Sequence, residues 1–160
     1  LHFDEFVLEA LQQKGIGIAA ITLILGPGSF TLLGEDVPQD LELPPEKVIV
    51  NQAVCEAIHR AKARGNRVVS VGTTVVRSLE TAFLTHQRLA PFVGVSRLAI
   101  QPGFRFNATD AVITNFHLPR STHLLLVAAL IGARETLRIY EHAIRARYRF
   151  YSFGDAMIVL

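Results

Sequence analysis

Apolar positions recur along this chain with two periods, and the switches between them mark out its elements. Asp4 stands as an N-cap, Phe3 and Leu8 as a hydrophobic staple and Gly15 as a stop, which predicts a first helix. Ile18 to Leu25 is β-branched and apolar, a buried strand that ends at the turn Gly26-Pro27-Gly28-Ser29-Phe30. The acidic, proline-containing stretch from Thr31 to Pro45 predicts an irregular excursion, with extended structure resuming at Val48 to Val50. Val54, Ala57, Ile58 and Ala61 recur at helical spacing between an Asn51 cap and a Gly65 stop. Arg67 to Val71 then predicts a strand, Gly72-Thr73-Thr74 a turn, and Val75, Leu79, Ala82 and Phe83 the buried stripe of a helix. Strands are expected near Arg97 to Gln101, at 111–114 and near Ala156 to Val159, with helices at 121–131 and 134–147. This alternation predicts an α/β fold, either barrel-like or a largely parallel sheet with flanking helices.

At 160 residues, half of them apolar and under a fifth charged, the chain can bury one core, and its composition argues against disorder. The longest apolar run, Leu124 to Ile131, falls short of the about 20 residues needed to cross a bilayer and reads as a buried helix. No membrane association is expected. A single cysteine, Cys55, beside the buried stripe of its helix, excludes an internal disulfide and reads as core. No basic-then-apolar secretion signal opens the chain, so the cytosol is the expected compartment. The start at Leu1-His2-Phe3, already at a helix entrance, reads as the middle of a longer protein.

Net charge is only +2, yet Arg134, Arg138, His142, Arg145 and Arg149 recur at steps of four, four, three and four. That spacing lines one helix face with cations while Leu137, Tyr140 and Ile144 occupy another. A solvated face is the commoner explanation; an RNA-facing surface is the sharper one.

Thr114-Asn115-Phe116-His117-Leu118-Pro119-Arg120-Ser121-Thr122 is a dense polar loop between a strand and a helix of nearly pure Leu, Val and Ala. Strand-to-helix loops form the functional face of α/β sheets, so the segment reads as a site or, with equal weight, as a Ser121 cap with locally bonded Asn115 and His117. Gly72-Thr73-Thr74 suits a carboxylate or phosphate at a helix N-terminus, with Arg77 and Glu80 one turn on as an ion pair or as two ligand contacts. Its sequence is not a P-loop. Asp110, His117 and Ser121 lack the GxSxG elbow of a hydrolase triad, and the six histidines show neither HxxxH nor HExxH, so neither a triad nor a metal site is expected. The aromatics of Tyr148-Arg149-Phe150-Tyr151-Ser152-Phe153 suit either a stacking floor for a purine or an ordinary strand.

Taken together, several segments closely resemble the S-adenosylmethionine:tRNA ribosyltransferase-isomerases of queuosine biosynthesis. They are Leu1-His2-Phe3, Gly26-x-Gly28-x-Phe30, Gly72-Thr73-Thr74-x-x-Arg77-x-Leu79-Glu80 and Pro102-Gly103-Phe104-x-Phe106, then Asp110, the Thr114 to Thr122 loop, and Tyr148 to Met157. The resemblance covers residues 1–160 and implies the C-terminal part of an α/β barrel-like catalytic domain, a smaller β-domain belonging to the part absent here. It implies transfer of the ribosyl portion of S-adenosylmethionine to an aminomethyl-deazaguanine at the tRNA wobble position. Isomerisation then gives epoxyqueuosine, with release of adenine and methionine. It implies no metal or redox cofactor, with S-adenosylmethionine as co-substrate and tRNA as partner, and a monomer. Matched to that chemistry, Gly72, Thr73, Thr74 and Arg77 would bind the methionine carboxylate, with Asn115, Ser121 and Thr122 in the neighbouring loop. His117 would move protons, with Asp155 or Glu46 as carboxylate partner; Phe30, Phe116, Phe150 and Tyr151 would wall the bases. Arg134, Arg138, Arg145 and Arg149 would face tRNA. Ile24, Leu41 and Pro44 stand where that family usually has histidines, Gln101 where it has an aromatic and Arg97 where it has an acidic residue. A diverged, non-catalytic relative that keeps the fold and the tRNA surface is the alternative reading.

Overall fold

The computed structural model describes residues 2–26, 33–34 and 36–160. In chain order they form α1 (Glu5–Gln13), β1 (Thr22–Ile24), β2 (Glu42–Val50), α2 (Gln52–Ala63), β3 (Val69–Val71), α3 (Thr73–His86) and β4 (Phe92–Leu98). Then follow β5 (Ala111–Asn115), α4 (Thr122–Ile131), α5 (Ala133–Arg145) and β6 (Ala156–Val159). Side-chain oxygens start three of the helices: Asp4 accepts the Val7 N–H at 2.9 Å, Asn51 that of Val54 at 3.0 Å and Ser121 that of Leu124 at 3.2 Å. Each satisfies one of the donors that a first turn leaves without a partner.

The fold is mixed α/β, with the strands in two sheets of order β1-β2-β4 and β3-β5-β6. A largely parallel sheet is not what forms: among the described residues β3 and β5 run parallel, whereas β1–β2, β2–β4 and β5–β6 are antiparallel. The connections account for this. α2 and α3 carry the chain from one sheet to the other, so neither returns it to a parallel neighbour in the same sheet, and the consecutive helices α4 and α5 bring β6 back antiparallel to β5. β2 also begins earlier than the sequence suggests, running through Pro44 and Pro45 where the register with β4 shifts between Glu42 and Glu46. Prolines, lacking N–H, are tolerated at such an irregularity. The apolar run from Ile18 yields only the short β1, with Ile18, Ile24 and Leu25 about half exposed.

Helix α3 ties the two sheets together. Leu79 and Ala82 join Val48, Val50, Val54, Cys55 and Ile58 in one buried cluster, while Val76 joins Ile100, Val112 and Leu126 in another. A third cluster of Phe116, Val127, Tyr140 and Ala143 seats α4 and α5 against the loop after β5. Cys55 is buried there as expected, and burial pushes its thiol pKa up. The parallel pairing Val71↔Ile113 sets the C-terminal ends of β3 and β5 side by side, and the Gly72 N–H donates to Ile113 O at 2.8 Å. Helices α3 and α4 consequently start next to each other, with the two polar segments singled out in the sequence at those starts.

Candidate active site

A cleft of about 200 Å³ opens at these helix starts. The turn Gly72-Thr73-Thr74 forms one wall, Thr114, Asn115 and His117 after β5 another, and His123 from the first turn of α4 a third. Glu46 enters from β2, and Leu25, Tyr151 and Ser152 complete the lining. Gly72 has φ +94, a conformation that strains any residue with a Cβ, and it lets α3 begin without a side-chain cap.

The charged groups are arranged as a closed pair. Arg77 Nη2 lies 2.9 Å from Glu46 Oε2, both side chains almost wholly buried, and Arg77 Nε donates to Leu98 O at 3.0 Å. The ion pair that α3 alone suggests, Arg77 with Glu80, does not form: a side chain 31 positions upstream takes the guanidinium instead. Glu80, fully buried, accepts from the backbone N–H groups of Asn107, Ala108 and Thr109 at 3.0–3.2 Å and closes the loop before β5.

His117 Nε2 lies 2.9 Å from Thr114 Oγ1, and its backbone N–H donates to the Tyr140 hydroxyl at 2.9 Å. Its ring stacks on His123 with 5.1 Å between centroids and 27° between planes. Burial, then the neighbouring His123, pushes the His117 pKa down to about 3, so this imidazole is neutral near pH 7. His123 is lowered as well, by burial and then by Arg77, against the opposing pull of Glu46. Burial raises the Tyr140 phenol to about 12, keeping its O–H intact. Asn115 Nδ2 lies 2.9 Å from His2 Nε2 and donates to Gly154 O at 3.2 Å, tying both ends of the chain to the cleft rim.

Thus Gly72, Thr73, Thr74, Glu46, Asn115, His117 and Tyr151 come together as the sequence suggests, with Arg77 touching the cleft through Glu46. Others lie elsewhere. Phe116 and Phe150 are in ring contact with each other and with Tyr140 in the third core cluster, so they are packing residues and not cleft walls. Ser121 uses its oxygen as the α4 cap and its hydroxyl hydrogen on Leu118 O, and Thr122 follows as the first helical residue outside the lining. Asp155 accepts from the Arg149 backbone N–H at 2.7 Å and from its guanidinium at 2.8 Å, which holds its carboxyl below the usual carboxylate range and closes the loop that carries Tyr151. Arg149 thereby lies beyond α5 rather than on its basic face. Phe30 lies outside the described residues. Arg134, Arg138 and Arg145 are exposed on α5, Arg138 bound to Glu135. Leu137 and Ile144, read as a second face of that helix, are 62% and 65% exposed, and Thr136, Tyr140 and Ala143 make its buried side.

The sequence assigns no role to four residues of the cleft: Leu25, Thr114, His123 and Ser152. The signal for His123 was present, since it is a lone imidazole in the first turn of an otherwise apolar helix, six residues after His117. Among the described residues no group of three or more His, Cys, Asp or Glu side chains is placed to hold a metal, and no helix is long and apolar enough to cross a membrane.

Residues 1–159 match the family model described as queuosine biosynthesis protein. The chain belongs to that family. It is 51% identical over 158 residues to the S-adenosylmethionine:tRNA ribosyltransferase-isomerase of Synechococcus sp. (strain RCC307), which covers 98% of this chain and 44% of that protein. The crystal structure of S-adenosylmethionine tRNA ribosyltransferase from Thermotoga maritima superimposes with a TM-score of 0.83 at 39% identity, over 99% of this chain and 50% of the other. The chain therefore spans about half the length of these members of the queuosine biosynthesis family. Of the positions that depart from the family resemblance, Leu41 and Pro44 do not line the cleft, Ile24 precedes the lining Leu25, and Gln101 donates to Pro38 O at 3.0 Å.

Proposed function

We propose that this chain carries the S-adenosylmethionine cleft of a tRNA ribosyltransferase-isomerase. The reaction moves the ribosyl portion of S-adenosylmethionine to aminomethyl-deazaguanine in the wobble position of tRNA and isomerises it to epoxyqueuosine, releasing adenine and methionine. The observation that carries this reading is the convergence of Gly72-Thr73-Thr74, Glu46, Asn115 and His117 from separate segments on one cleft, in a chain of the queuosine biosynthesis family. The N–H groups at the start of α3, with the positive end of its dipole, suit the methionine carboxylate. Arg77, bound to Glu46, orients that carboxylate wall instead of meeting the ligand itself.

Electrostatics favour a sulfonium in this place. The described lining contains no Lys or Arg, both imidazoles are neutral, and the guanidinium nearby is neutralised by Glu46, so no uncompensated cation opposes the ligand's own charge. Tyr151 offers a flat, half-exposed face for a purine at the rim. His117 is the proton carrier, its ring oriented by Thr114 and its backbone by Tyr140. Asp155 serves as the clasp of the Tyr151 loop. Such chemistry uses S-adenosylmethionine as co-substrate and no metal or redox group. The protein works as a monomer in the cytosol on tRNA, with Arg134 and Arg145 of α5 facing phosphates.

The test is adenine release from S-adenosylmethionine with and without tRNA bearing the aminomethyl-deazaguanine. Release dependent on that tRNA is expected, abolished by His117→Ala with tRNA affinity nearly unchanged. Undiminished release from the variant would remove His117 from its role.

A further inference from the structure

His123 has no chemical step in the reading above, yet its surroundings set it apart from an ordinary helix residue. It belongs to a helix otherwise built of Leu, Val, Ala and Ile after its first residue, lines the cleft, and stacks its ring on His117 at 5.1 Å. An apolar side chain there would fill space without desolvating ring nitrogens, so packing alone gives no reason for an imidazole.

The groups that face the two rings come from every neighbouring element. Thr114 on β5 meets His117 Nε2, and Tyr140 on α5 accepts the His117 backbone N–H. Arg77 on α3 and Glu46 on β2 act on His123 with opposite sign and are themselves paired, and His123 is in turn the charged neighbour that bears on His117. Asp155, on the loop before β6, is bound to Arg149. Two unit charges about 5 Å apart at an effective dielectric of about 20 weaken binding of a second proton on the order of a hundredfold. Interacting sites of this kind titrate as a pair and not as two residues.

We propose that His123 is a second proton-handling residue of this cleft, coupled to His117 so that the two rings take up at most one proton between them. The proposal rests on the S-adenosylmethionine reading. There, the lone pair of one imidazole nitrogen takes a proton from the bound ligand: an N–H bond forms, the ligand's bond to hydrogen breaks, and the electron pair stays on the ligand. The same proton is later delivered to a nitrogen of the departing adenine, so the pair begins and ends neutral. While one ring carries the proton, the other is held neutral and stays a hydrogen-bond acceptor toward the substrate.

The experiment is an NMR pH titration of the histidine imidazoles of this chain, run beside the pH profile of adenine release. His123→Phe keeps an aromatic ring against His117 and removes its nitrogens. The expected result is a His117 midpoint that rises by about one unit or more in this variant, with the acid limb of kcat/KM for adenine release moving in the same direction. A His117 midpoint and an acid limb that both stay in place would overturn the coupling. Should the variant not fold, the native chain decides: two-step titration curves at both rings support the pair, and independent single-step curves refute it. Absence of adenine release from the native chain would contradict the function proposed above, while the imidazole shifts would still report on the coupling.

Discussion

The pair Arg77–Glu46 joins α3 to β2 through one buried contact beside the cleft. With both side chains almost wholly buried, removing one partner leaves the other charge in a poor solvent, which typically costs about 3–5 kcal/mol. Arg77→Met is accordingly expected to lower stability by about that much in urea unfolding, and adding Glu46→Leu should recover much of the loss; a double variant no more stable than the single one would refute the coupling. His117 gives a pH dependence whose sign follows from its depressed pKa of about 3 against an ordinary 6.5. Between these values the unfolded chain binds the proton and the folded chain does not, so stability is fully present above about pH 6.5 and falls as the pH is lowered toward 3. His117→Phe should flatten that slope in denaturation curves measured across the window, and an unchanged slope would show that His117 titrates normally. At this scale the caps Asp4, Asn51 and Ser121 were legible because each acts on a backbone group three residues away. The partners of Arg77 and Glu80 were not, because they lie 31 and about 28 residues distant in sequence and meet only through the fold.

Among the elements, the loop from Arg149 to Asp155 is short and held by several contacts. Tyr151 is held at φ +72 by its N–H to Phe116 O at 2.8 Å and by the Gly154 N–H to its own carbonyl at 3.0 Å. A Cβ on Gly154 would run into Arg149 O, backbone that cannot swing away. Gly154→Ala should therefore destabilise by about 1–3 kcal/mol and displace Tyr151 and Ser152 from the cleft rim, which thermal unfolding and ligand titration together would register. Helix α5 carries the RNA reading: charge reversal at Arg134 and Arg145 should weaken tRNA binding across sequences and reduce the slope of log K against log salt by about 2, while no change would return that face to solvent. The helices were readable from periodicity and caps, but the pairing of strands was not. Whether a connection returns to the same sheet depends on how α2, α3 and the α4–α5 pair pack, and local pattern contains no trace of that. β4 was misplaced for a related reason: it alternates exposed Val93 and Val95 with buried Ser96, whose hydroxyl bonds Thr81 at 2.7 Å inside the fold.

For the molecule as a whole, the candidate cleft follows from one topological fact, the parallel pairing of β3 with β5. It places two helix N-termini side by side, and β2 in the other sheet supplies Glu46 across α3 to the same opening. The polar loops at 72–74 and 114–117 were recognisable in sequence as site material; that they share one cleft, with the His117–His123 stack between them, required the fold. The most direct measurement is chemical-shift mapping of the labelled chain during titration with S-adenosylmethionine. The expected result is saturable shifts confined to the amides of Gly72, Thr73, Thr74, Asn115 and Tyr151 and to the rings of His117 and His123. Saturable shifts centred on another surface, or none at all in a folded chain, would contradict the assignment of this cleft.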